Sequence, residues 1–481
     1  MDRPLLTTVA STFALALVGF ALLQAADPRL ADYDSWFHIR YAAELRARGP
    51  WMDFPWMPHT FFADGWVDHQ WLYHLLLIPF TLADDLRVGA KASAAVFSSV
   101  AVAAFAGVLH RRKVAWPVLW ALVLLAGSRF LMVRLMMPRT QALSLAFLLV
   151  GWVLATERKG RALGILGFFY GWTYHVAAML VPTAVATVLP ARDSPWRTRV
   201  ILVALAALGV GAGVLFTPYF PRSAEYFWLH VVEKVANQRQ LEVGAEWFPI
   251  QTRLWLTHTG PALAVGLTAI AGALVRGVKA ERDTLSAGIL ALGWIALSLW
   301  SQKWIEMAVP FGLLFAALLW RDVRLSPRWL LWAPVVAVWN GVQAVDHVAT
   351  TVPAHDRLAR IGARLEADPG PVFHPDWTDF SELYYYAPSC TFTVGLDPTF
   401  LAAADPARYR LMDGILKGKV TDISGATTAA WGARWVVLTD PTIAAIAARD
   451  PGLEPVLQDG AATLWRVRAH SAQPSAPPPT H

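Results

Sequence analysis

The sequence has little charge and almost no cysteine. Asp, Glu, Lys and Arg make up 16% of its 481 residues, against about 25% in typical soluble domains. The single cysteine, Cys390, excludes an internal disulfide framework and a cysteine-rich metal site. A phosphate-binding glycine loop, a dinucleotide glycine fingerprint, a zinc-ligand spacing and an internal repeat are all lacking from the sequence.

Apolar residues and tryptophan, by contrast, are abundant. Apolar residues make up 56% of the chain, and 24 residues are Trp. Many of the apolar residues lie in long runs, which predicts a mainly α-helical, multi-pass membrane protein. The net charge of +6 comes from basic connections between these runs, so it does not indicate a nucleic-acid partner.

Eleven apolar runs approach the roughly 20 residues that a helix needs to cross a bilayer. Basic clusters fall in alternate connections, which the positive-inside rule places in the cytoplasm. The N-terminus is then inside, the first run is an uncleaved helix, and the C-terminal region is outside. The pair 162–174 and 176–189 is short for two crossings, and a single span there would reverse the side of everything after it. The predicted spans are 4–26, 88–109, 114–127, 140–155, 162–174, 176–189, 200–216, 260–275, 284–300, 305–320 and 329–344.

Two large outward loops, 27–85 and 217–258, complete a predicted membrane domain over 1–350. Within the first loop, 71–83 is apolar but too short to span, which is typical of a buried, re-entrant or interfacial helix. The stretch 35–48 alternates apolar and charged residues, which predicts an interfacial helix.

The composition changes after the last predicted span. Residues 356–468 contain a helical stretch, DRLARIGARLEADPG, and short apolar runs bounded by Pro, Gly and Asp, which predict strands. This part is predicted to be a small extracytoplasmic α/β domain. The strand candidates are GPVFHPDW, CTFTVGLDP, ARWVVLTDP and ATLWRVR, and the further helices are 405–419 and 439–449. The Pro/Ser-rich tail 469–481 is predicted to be disordered.

Asp32 and Asp34 stand directly between the first span and the predicted helix at 35–48. Either of them can cap that helix, because a carboxylate accepts hydrogen bonds from the free N–H groups of the first turn. Alternatively, two carboxylates held at the membrane face can carry chemistry, by sharing a metal or by splitting their pKa values. Both interpretations remain open from the sequence.

The heptapeptide DSWFHIR, residues 34–40, resembles the Asp-x-aromatic-aromatic-x-x-Arg signature of oligosaccharyltransferase catalytic subunits and, more broadly, of GT-C membrane glycosyltransferases. GWTYHVAAMLVPTAVATVL is similar to a Trp-Gly-Gly-Tyr hairpin and the Pro-containing helix after it in that family. DWTDFSELYYYAPSCTFTVGLD lies where the family has a Trp-Trp-Asp-Tyr-Gly motif, which aligns Trp377, Asp379 and Phe380. The order of spans, long first loop and outward domain also agrees.

This resemblance implies transfer of a sugar from a polyprenyl-phosphate donor. Asp34 would be the first-loop carboxylate that binds a divalent metal or the acceptor and activates the nucleophile, with Asp32 as its partner. A polyprenyl phosphate is a good leaving group, so such an enzyme mainly positions the acceptor, accepts its proton and stabilises the departing phosphate.

The sequence also departs from the family. The second outward loop, SRFLMVRLMMPRTQ, lacks the family's acidic pair, so Mg²⁺ or Mn²⁺ at Asp34 would need a further ligand. Metal dependence therefore stays open. Thr378 replaces a Trp of the third motif, which counts against recognition of an Asn-x-Ser/Thr peptide. The candidates to complete a metal site are Asp32, Asp64, Asp68 and Glu246.

Basic residues in outward turns are the candidates for binding the donor phosphate. Arg134, Arg139 and Lys303 are in this position, where Lys and Arg are usually scarce. Arginine's fork suits a phosphate, although long basic side chains at a membrane face also snorkel toward lipid headgroups.

Further site candidates come from the two large outward loops and the C-terminal domain. DGWVDHQWLYH contains Asp64, Asp68, His69 and His74, which either ligate a metal or belong to a solvated loop, and Asp68 and His69 are the site candidates among them. The acceptor or loop candidates are Asp68, His69, Glu246, Trp377 and Asp379; Glu242 lies in the same outward loop as Glu246.

The sequence thus predicts a GT-C-type glycosyltransferase of the plasma (inner) membrane, which transfers a sugar from a polyprenyl-phosphate donor on the extracytoplasmic face. Its partners would be that donor, membrane lipids and an acceptor lipid, glycan or protein. The alternatives are oligosaccharyltransferase-like transfer to protein, a transporter or flippase, and a non-catalytic remnant. Span interiors almost free of charge count against a transporter.

Overall fold

The computed structural model describes residues 3–233, 244–352 and 357–468. They divide into a helical unit (3–51, 67–233 and 244–352) and a second unit (52–66 and 357–468). Residues 52–66 of the predicted first outward loop therefore belong to the second unit. Glu242 and the tail 469–481 lie outside the described residues.

The helical unit consists of helices joined by short connections. Helices suit an apolar environment because they satisfy their own backbone hydrogen bonds. In chain order they are α1 Arg3–Ala26, α2 Asp34–Arg48, α3 Trp71–Leu77, α4 Leu86–Arg111, α5 Pro117–Gly127, α6 Arg129–Met136, α7 Gln141–Thr156, α8 Gly160–Thr173, α9 Leu180–Val188, α10 Trp196–Leu215, α11 Arg222–Phe227, α12 Thr252–Arg276, α13 Arg282–Trp300, α14 Ile305–Val323 and α15 Ala333–Thr351.

Six helices in the described residues are long and apolar enough to cross a membrane by length and composition, or seven if the bent pair α5–α6 is one span. Every predicted span coincides with a helix, but several of these helices, such as α7 and α9, are shorter than a full crossing. The predicted count of about eleven and the inside N-terminus remain predictions. The long helices and the mainly helical fold indicate a multi-pass membrane protein.

The stretch SRFLMVRLMMPRTQ, predicted as the second outward loop, contains a short helix, α6, over 129–136. After α5 the chain is extended at Ser128, whose hydroxyl accepts a hydrogen bond of 3.2 Å from the N–H of Leu131 and caps α6. The axes of α5 and α6 differ by 95°. The sharp bend turns α6, with Arg129 and Arg134, away from the direction of α5.

Helix α2 differs from the predicted interfacial helix because it is buried on nearly all sides. Its buried residues include Trp36, His38, Tyr41 and Glu44, which do not share one stripe. The segment predicted at 71–83 forms α3 and a 3₁₀ turn, Ile78–Leu82, and both pack against α2.

Helices α8 and α10 approach each other closely through glycines. A Cβ atom on Gly209 would lie 2.1 Å from the carbonyl oxygen of Gly164, and one on Gly213 would lie 2.3 Å from that of Phe168. Small residues that allow backbones to touch are typical of helix pairs in membranes.

The second unit is built on a five-stranded sheet with the order β2-β1-β3-β5-β4. The first three strands along this order are parallel and the last two pairings are antiparallel. The backbone of Trp56 accepts a hydrogen bond of 2.7 Å from Phe392 of the edge strand, which ties 52–66 to this unit. Four strands match the predicted ones, and β4 was missed. The elements are α16 Ala359–Glu366, β1 Pro371–Phe373, α17 Phe380–Tyr386, β2 Thr391–Phe392, α18 Thr399–Ala404, α19 Pro406–Leu416, α20 Ile423–Trp431, β3 Trp435–Leu438, α21 Pro441–Ala447, β4 Leu453–Asp459 and β5 Ala462–Val467.

Candidate active site

Asp32 and Asp34, at the start of α2, have different local roles. Oδ1 of Asp32 accepts a hydrogen bond of 2.9 Å from the backbone N–H of Ser35 and another from its hydroxyl. Asp32 therefore caps the start of α2, as one of the two interpretations predicts. Asp34 is the first residue of the helix, and its carboxylate is left for other contacts.

Arg139 holds both carboxylates with one guanidinium. Its Nε lies 3.2 Å from Oδ2 of Asp32, and its Nη2 lies 3.0 Å from Oδ2 of Asp34. Its Nη1 lies 3.6 Å from Oε2 of Glu246, a third carboxylate. A planar fork with several donors can contact several carboxylates at once, which a lysine cannot do with the same geometry.

Behind Arg139 the ionic network continues to Arg134 and Glu306. Nη1 of Arg134 lies 3.0 Å from Oε2 of Glu246, and its Nη2 lies 3.1 Å from Oε2 of Glu306. Arg134 is buried, as is Lys303. Neither side chain reaches the exterior of the protein, so neither of them extends toward lipid headgroups.

The loop with Glu246 is fastened to the turn with Lys303 by backbone contacts. The hydroxyl of Ser301 donates a hydrogen bond of 2.8 Å to the carbonyl oxygen of Glu246, and the N–H of Gln302 donates one of 3.0 Å to Phe248. Nζ of Lys303 lies 4.6 Å from the ring centre of Trp247. Among the described residues, Lys303 is in no ion pair with a carboxylate, which distinguishes it from Arg134 and Arg139.

Glu246 and Arg139 stabilise each other's charge despite their burial. Burial raises the pKa of Glu246, but the attraction of Arg139 and Arg134 outweighs it and holds that pKa well below its ordinary value. Burial alone lowers the pKa of Arg139, but Asp34 and Glu246 outweigh it and hold that pKa well above its ordinary value. The charged group thus contains four acidic side chains, Asp32, Asp34, Glu246 and Glu306. Its three basic side chains are Arg134, Arg139 and Lys303.

These residues do not fit a divalent metal. The described part of the chain holds no group of three or more His, Cys, Asp or Glu residues placed to surround one. The carboxylates of Asp32, Asp34 and Glu246 instead share the guanidinium of Arg139, which brings a positive charge to the place where a metal would need their oxygens. The other suggested ligands, Asp64 and Asp68, belong to the second unit and to a separate hydrogen-bonded chain, respectively.

Asp68 and His69 are not a solvated pair. Asp68 is buried and its Oδ2 lies 2.7 Å from Nδ1 of His74. The ring of His69 stacks on Tyr226 at a centroid distance of 4.8 Å and lies 5.6 Å from that of His175. The two neighbouring residues therefore point into different environments.

In the second unit, Asp379 is fully buried. Its carboxylate accepts hydrogen bonds of 2.6 Å from Arg357 and 2.8 Å from Thr439. Trp377 packs against the apolar core of the same unit. The predicted acceptor residue Asp379 is thus occupied by internal contacts.

Two residues of this region, Glu306 and His38, were missed at the level of the sequence. Glu306 lies directly after the turn that was singled out for Lys303, and it was counted as part of a span. His38 lies inside DSWFHIR and has no local signal of its partner. His74 was named from DGWVDHQWLYH, but its contact with His38 was not predicted.

An apolar cavity of about 480 Å³ lies between α12, α13 and α14. Its lining includes Trp255 and Ile305, and Ile305 is two residues after Lys303. This volume is within the ~300–1,000 Å³ of ordinary ligand sites. The cavity is lined almost entirely by apolar side chains.

Comparison with known proteins finds relatives by structure alone. No family model and no curated protein matches the sequence. The oligosaccharyltransferase of Archaeoglobus fulgidus, tethered with an acceptor peptide, is similar with a TM-score of 0.61 and 13% identity over 92% of this chain and 70% of that one. ArnT from Cupriavidus metallidurans, bound to undecaprenyl phosphate, is similar with a TM-score of 0.61 and 17% identity over 96% of this chain and 98% of that one. The same archaeal enzyme, AglB, with an inhibitory peptide and a dolichol-phosphate, has a TM-score of 0.56 and 13% identity over 92% and 71%. The chain has the fold of these GT-C glycosyltransferases, so the predicted resemblance is confirmed.

Proposed function

We propose that the protein is a membrane glycosyltransferase that transfers a sugar from a polyprenyl-phosphate donor to an acceptor on the extracytoplasmic face of the plasma membrane. The observation that carries this proposal is the buried group of carboxylates and cations around Asp34, beside an apolar cavity. Acids for the acceptor, a cation for the phosphate and a groove for a lipid chain are then adjacent parts of one helical unit.

Asp34 is the proposed proton acceptor. Its side chain is 33% exposed, the most accessible of the four carboxylates. In the proposed step the acceptor's oxygen forms a bond to the anomeric carbon, and the bond from that carbon to the phosphate oxygen breaks. The acceptor's proton goes to Asp34 and the electron pair goes to the departing polyprenyl phosphate. Asp32 and Arg139 act as positioning residues that fix the direction of Asp34.

Lys303 is the proposed contact of the donor phosphate. Arg134 and Arg139 are in ion pairs with carboxylates, whereas Lys303 forms no ion pair with a carboxylate in the described part of the chain. A polyprenyl chain in the apolar cavity, which begins at Ile305 and Trp255, would bring its phosphate to this end of α14. The lysine then offsets the charge that develops on the leaving phosphate.

Transfer of a single sugar is favoured over transfer of a glycan to protein. Asp379, the residue aligned with the peptide-recognition motif, is buried and bonded to Arg357 and Thr439. The chain also spans 98% of the length of ArnT but 70% of the length of the archaeal oligosaccharyltransferase. We further propose that the transfer needs no divalent metal, since Arg139 neutralises the carboxylates.

The test uses a strain deleted for the gene and complemented with the wild type, Asp34→Asn or Asp84→Asn at equal membrane levels. Asp84 is an exposed aspartate of the same 27–85 segment, so it is a matched control. Mass spectrometry compares the envelope glycans and lipid-linked saccharides. We expect a missing sugar or an accumulated lipid-linked donor in the deletion strain, restored by the wild type and Asp84→Asn only. Full restoration by Asp34→Asn would contradict the proposed role of Asp34.

A further inference from the structure

Three buried polar side chains next to this site form a hydrogen-bonded chain that the proposed reaction has not used. Oδ2 of Asp68 lies 2.7 Å from Nδ1 of His74, and Nε2 of His74 lies 2.9 Å from Nδ1 of His38. Asp68, His74 and His38 are 2%, 1% and 5% exposed. The chain links the loop before α3, α3 itself and α2. A buried polar group without a hydrogen-bond partner destabilises the folded protein, so these three side chains are held in one hydrogen-bonded arrangement.

The chain fixes the tautomers of both histidines. An ionised carboxylate only accepts hydrogen bonds, so Nδ1 of His74 carries the proton and its Nε2 has a lone pair. Nδ1 of His38 must then donate to that lone pair, which leaves the lone pair of His38 on Nε2. The other oxygen of Asp68 accepts a hydrogen bond of 2.9 Å from the N–H of Gln70, so the carboxylate at the far end is held in place.

The surroundings of His38 keep it neutral. Burial lowers the pKa of His38 well below its ordinary value, and His74 and Arg139 lower it further, as does His69. The ring of Tyr73 meets that of His38 edge-on at a centroid distance of 5.4 Å. A neutral imidazole with a free lone pair is a hydrogen-bond and proton acceptor.

The position of His38 connects this chain to the carboxylates. His38 is four residues after Asp34 on α2, and residues at that spacing are neighbours on one face of a helix. Arg139, which contacts Asp34 at 3.0 Å, is near enough to act on the His38 ring. The hydroxyl of Tyr73 is buried on the same side, and it has no hydrogen-bond partner among the described residues.

We propose that His38, oriented by His74 and Asp68, is a proton relay that receives at Nε2 the proton that Asp34 takes from the acceptor. This inference rests on the proposed transferase function and adds the step that returns Asp34 to its ionised form. The new O–H bond of Asp34 breaks, and an N–H bond forms on His38. Burial and Arg139 disfavour the resulting imidazolium, so it passes the proton on to solvent, while Asp68 holds His74 and His38 in position, as a carboxylate does for a catalytic histidine.

The experiment measures transfer by the full-length protein in lipid nanodiscs, with the lipid-linked donor that accumulates in the deletion strain. The variants are His38→Gln, His38→Ala and His74→Gln. His110→Gln is the matched control, because His110 lies at the end of α4 and contacts Thr8 instead. kcat and the donor KM are measured from pH 5.5 to 8.5, with and without added imidazole. Thermal stability of each variant in the same nanodiscs shows whether the fold is retained.

We expect His38→Gln to lower kcat about 10- to 100-fold, at the low end of acid–base effects, with KM changed less than twofold. Its rate should rise with pH, whereas the wild-type rate stays level, because the neutral His38 is already a proton acceptor at every pH tested. Imidazole should restore part of the activity of His38→Ala, and His74→Gln should show a smaller loss. His110→Gln should match the wild type.

Two results would overturn the relay. One is a wild-type kcat and pH profile in His38→Gln. The other is an equal loss at every pH with no rescue by imidazole, which would make His38 a packing residue. An inactive wild type would overturn the transferase function and the relay together, whereas an active wild type with an unaffected His38→Gln would overturn the relay alone.

Discussion

Removal of the Arg139 guanidinium is the perturbation that most directly tests the geometry of the candidate site. Arg139 contacts the carboxylates of Asp32, Asp34 and Glu246 at 3.2, 3.0 and 3.6 Å. In Arg139→Ala these three negative charges lose their shared partner in a largely buried place. Breaking a buried pair by removing one partner costs about 3–5 kcal/mol, so the carboxylates should repel one another and lose their directions.

We expect kcat of Arg139→Ala to fall by about 10²- to 10³-fold, the range found when one electrostatic contact of an active site is deleted. Arg139→Lys should fall nearly as far, because one ammonium cannot reproduce three contacts made by a fork. Wild-type activity should be unchanged by EDTA. Without the guanidinium, the three carboxylates can move together only around another cation, and Mg²⁺ and Mn²⁺ prefer oxygen ligands. Millimolar Mn²⁺ should therefore restore part of the activity of Arg139→Ala but not of Asp34→Asn.

The assay is donor turnover in nanodiscs, with the metal content of each preparation measured alongside. If EDTA abolishes the wild-type activity and Mg²⁺ or Mn²⁺ restores it, the reasoning about Arg139 is refuted. Full activity in Arg139→Ala without added metal would refute it as well, because the guanidinium would then have no part in positioning Asp34.

Three further predictions concern the donor, the fold and pH. Lys303→Gln should raise the donor KM about tenfold, since a charge-assisted contact to phosphate is lost; donor titration in nanodiscs measures this. Gly209→Ala should destabilise the protein by about 1–3 kcal/mol, because its Cβ would overlap the backbone of the facing helix. Gly211→Ala, which meets nothing within 4 Å, should leave the thermal midpoint unchanged. Burial raises the pKa of Asp379 to about 6, so the folded protein binds this proton more tightly than the unfolded chain does. The resulting contribution to the free energy of unfolding is fully present below about pH 4 and is lost as the pH rises through about 6. Labelling of the buried Cys390 by iodoacetamide, normalised to a free thiol at each pH, should accelerate over that interval and lose this pH dependence in Asp379→Asn.

The helices of this protein follow from the sequence because their signal is local. A long apolar run predicts a helix wherever it occurs, and only its ends depend on the surroundings. The short helix at 129–136, inside the predicted second outward loop, was not foreseen, since its two arginines lower its local hydropathy. Arg134 is compatible with a buried helix because Glu246 and Glu306, more than a hundred residues away, neutralise it.

In the candidate site, too, features set by neighbouring residues were predictable from the sequence, whereas contacts between distant residues were not. Asp34 was identified from a short motif, and capping by Asp32 from its place before a helix. Arg139 was singled out as a phosphate ligand, whereas the structure places its guanidinium against both aspartates. That pairing joins residues more than a hundred positions apart, and a single sequence has no feature that specifies it.

The position of Arg139 also bears on how the absence of acids in the second outward segment is understood. On its own, that absence suggested either an incomplete metal site or a protein without activity. The guanidinium of Arg139 is itself a cation. A site that contains it therefore needs no additional carboxylates to bind a metal cation. A metal and a guanidinium would compete for the oxygens of Asp32, Asp34 and Glu246, so the absence of acids from 128–141 and the contacts of Arg139 are consistent with each other. The absence of acids from this segment is therefore compatible with the proposed transferase reaction, and it does not by itself favour the alternative of a non-catalytic remnant.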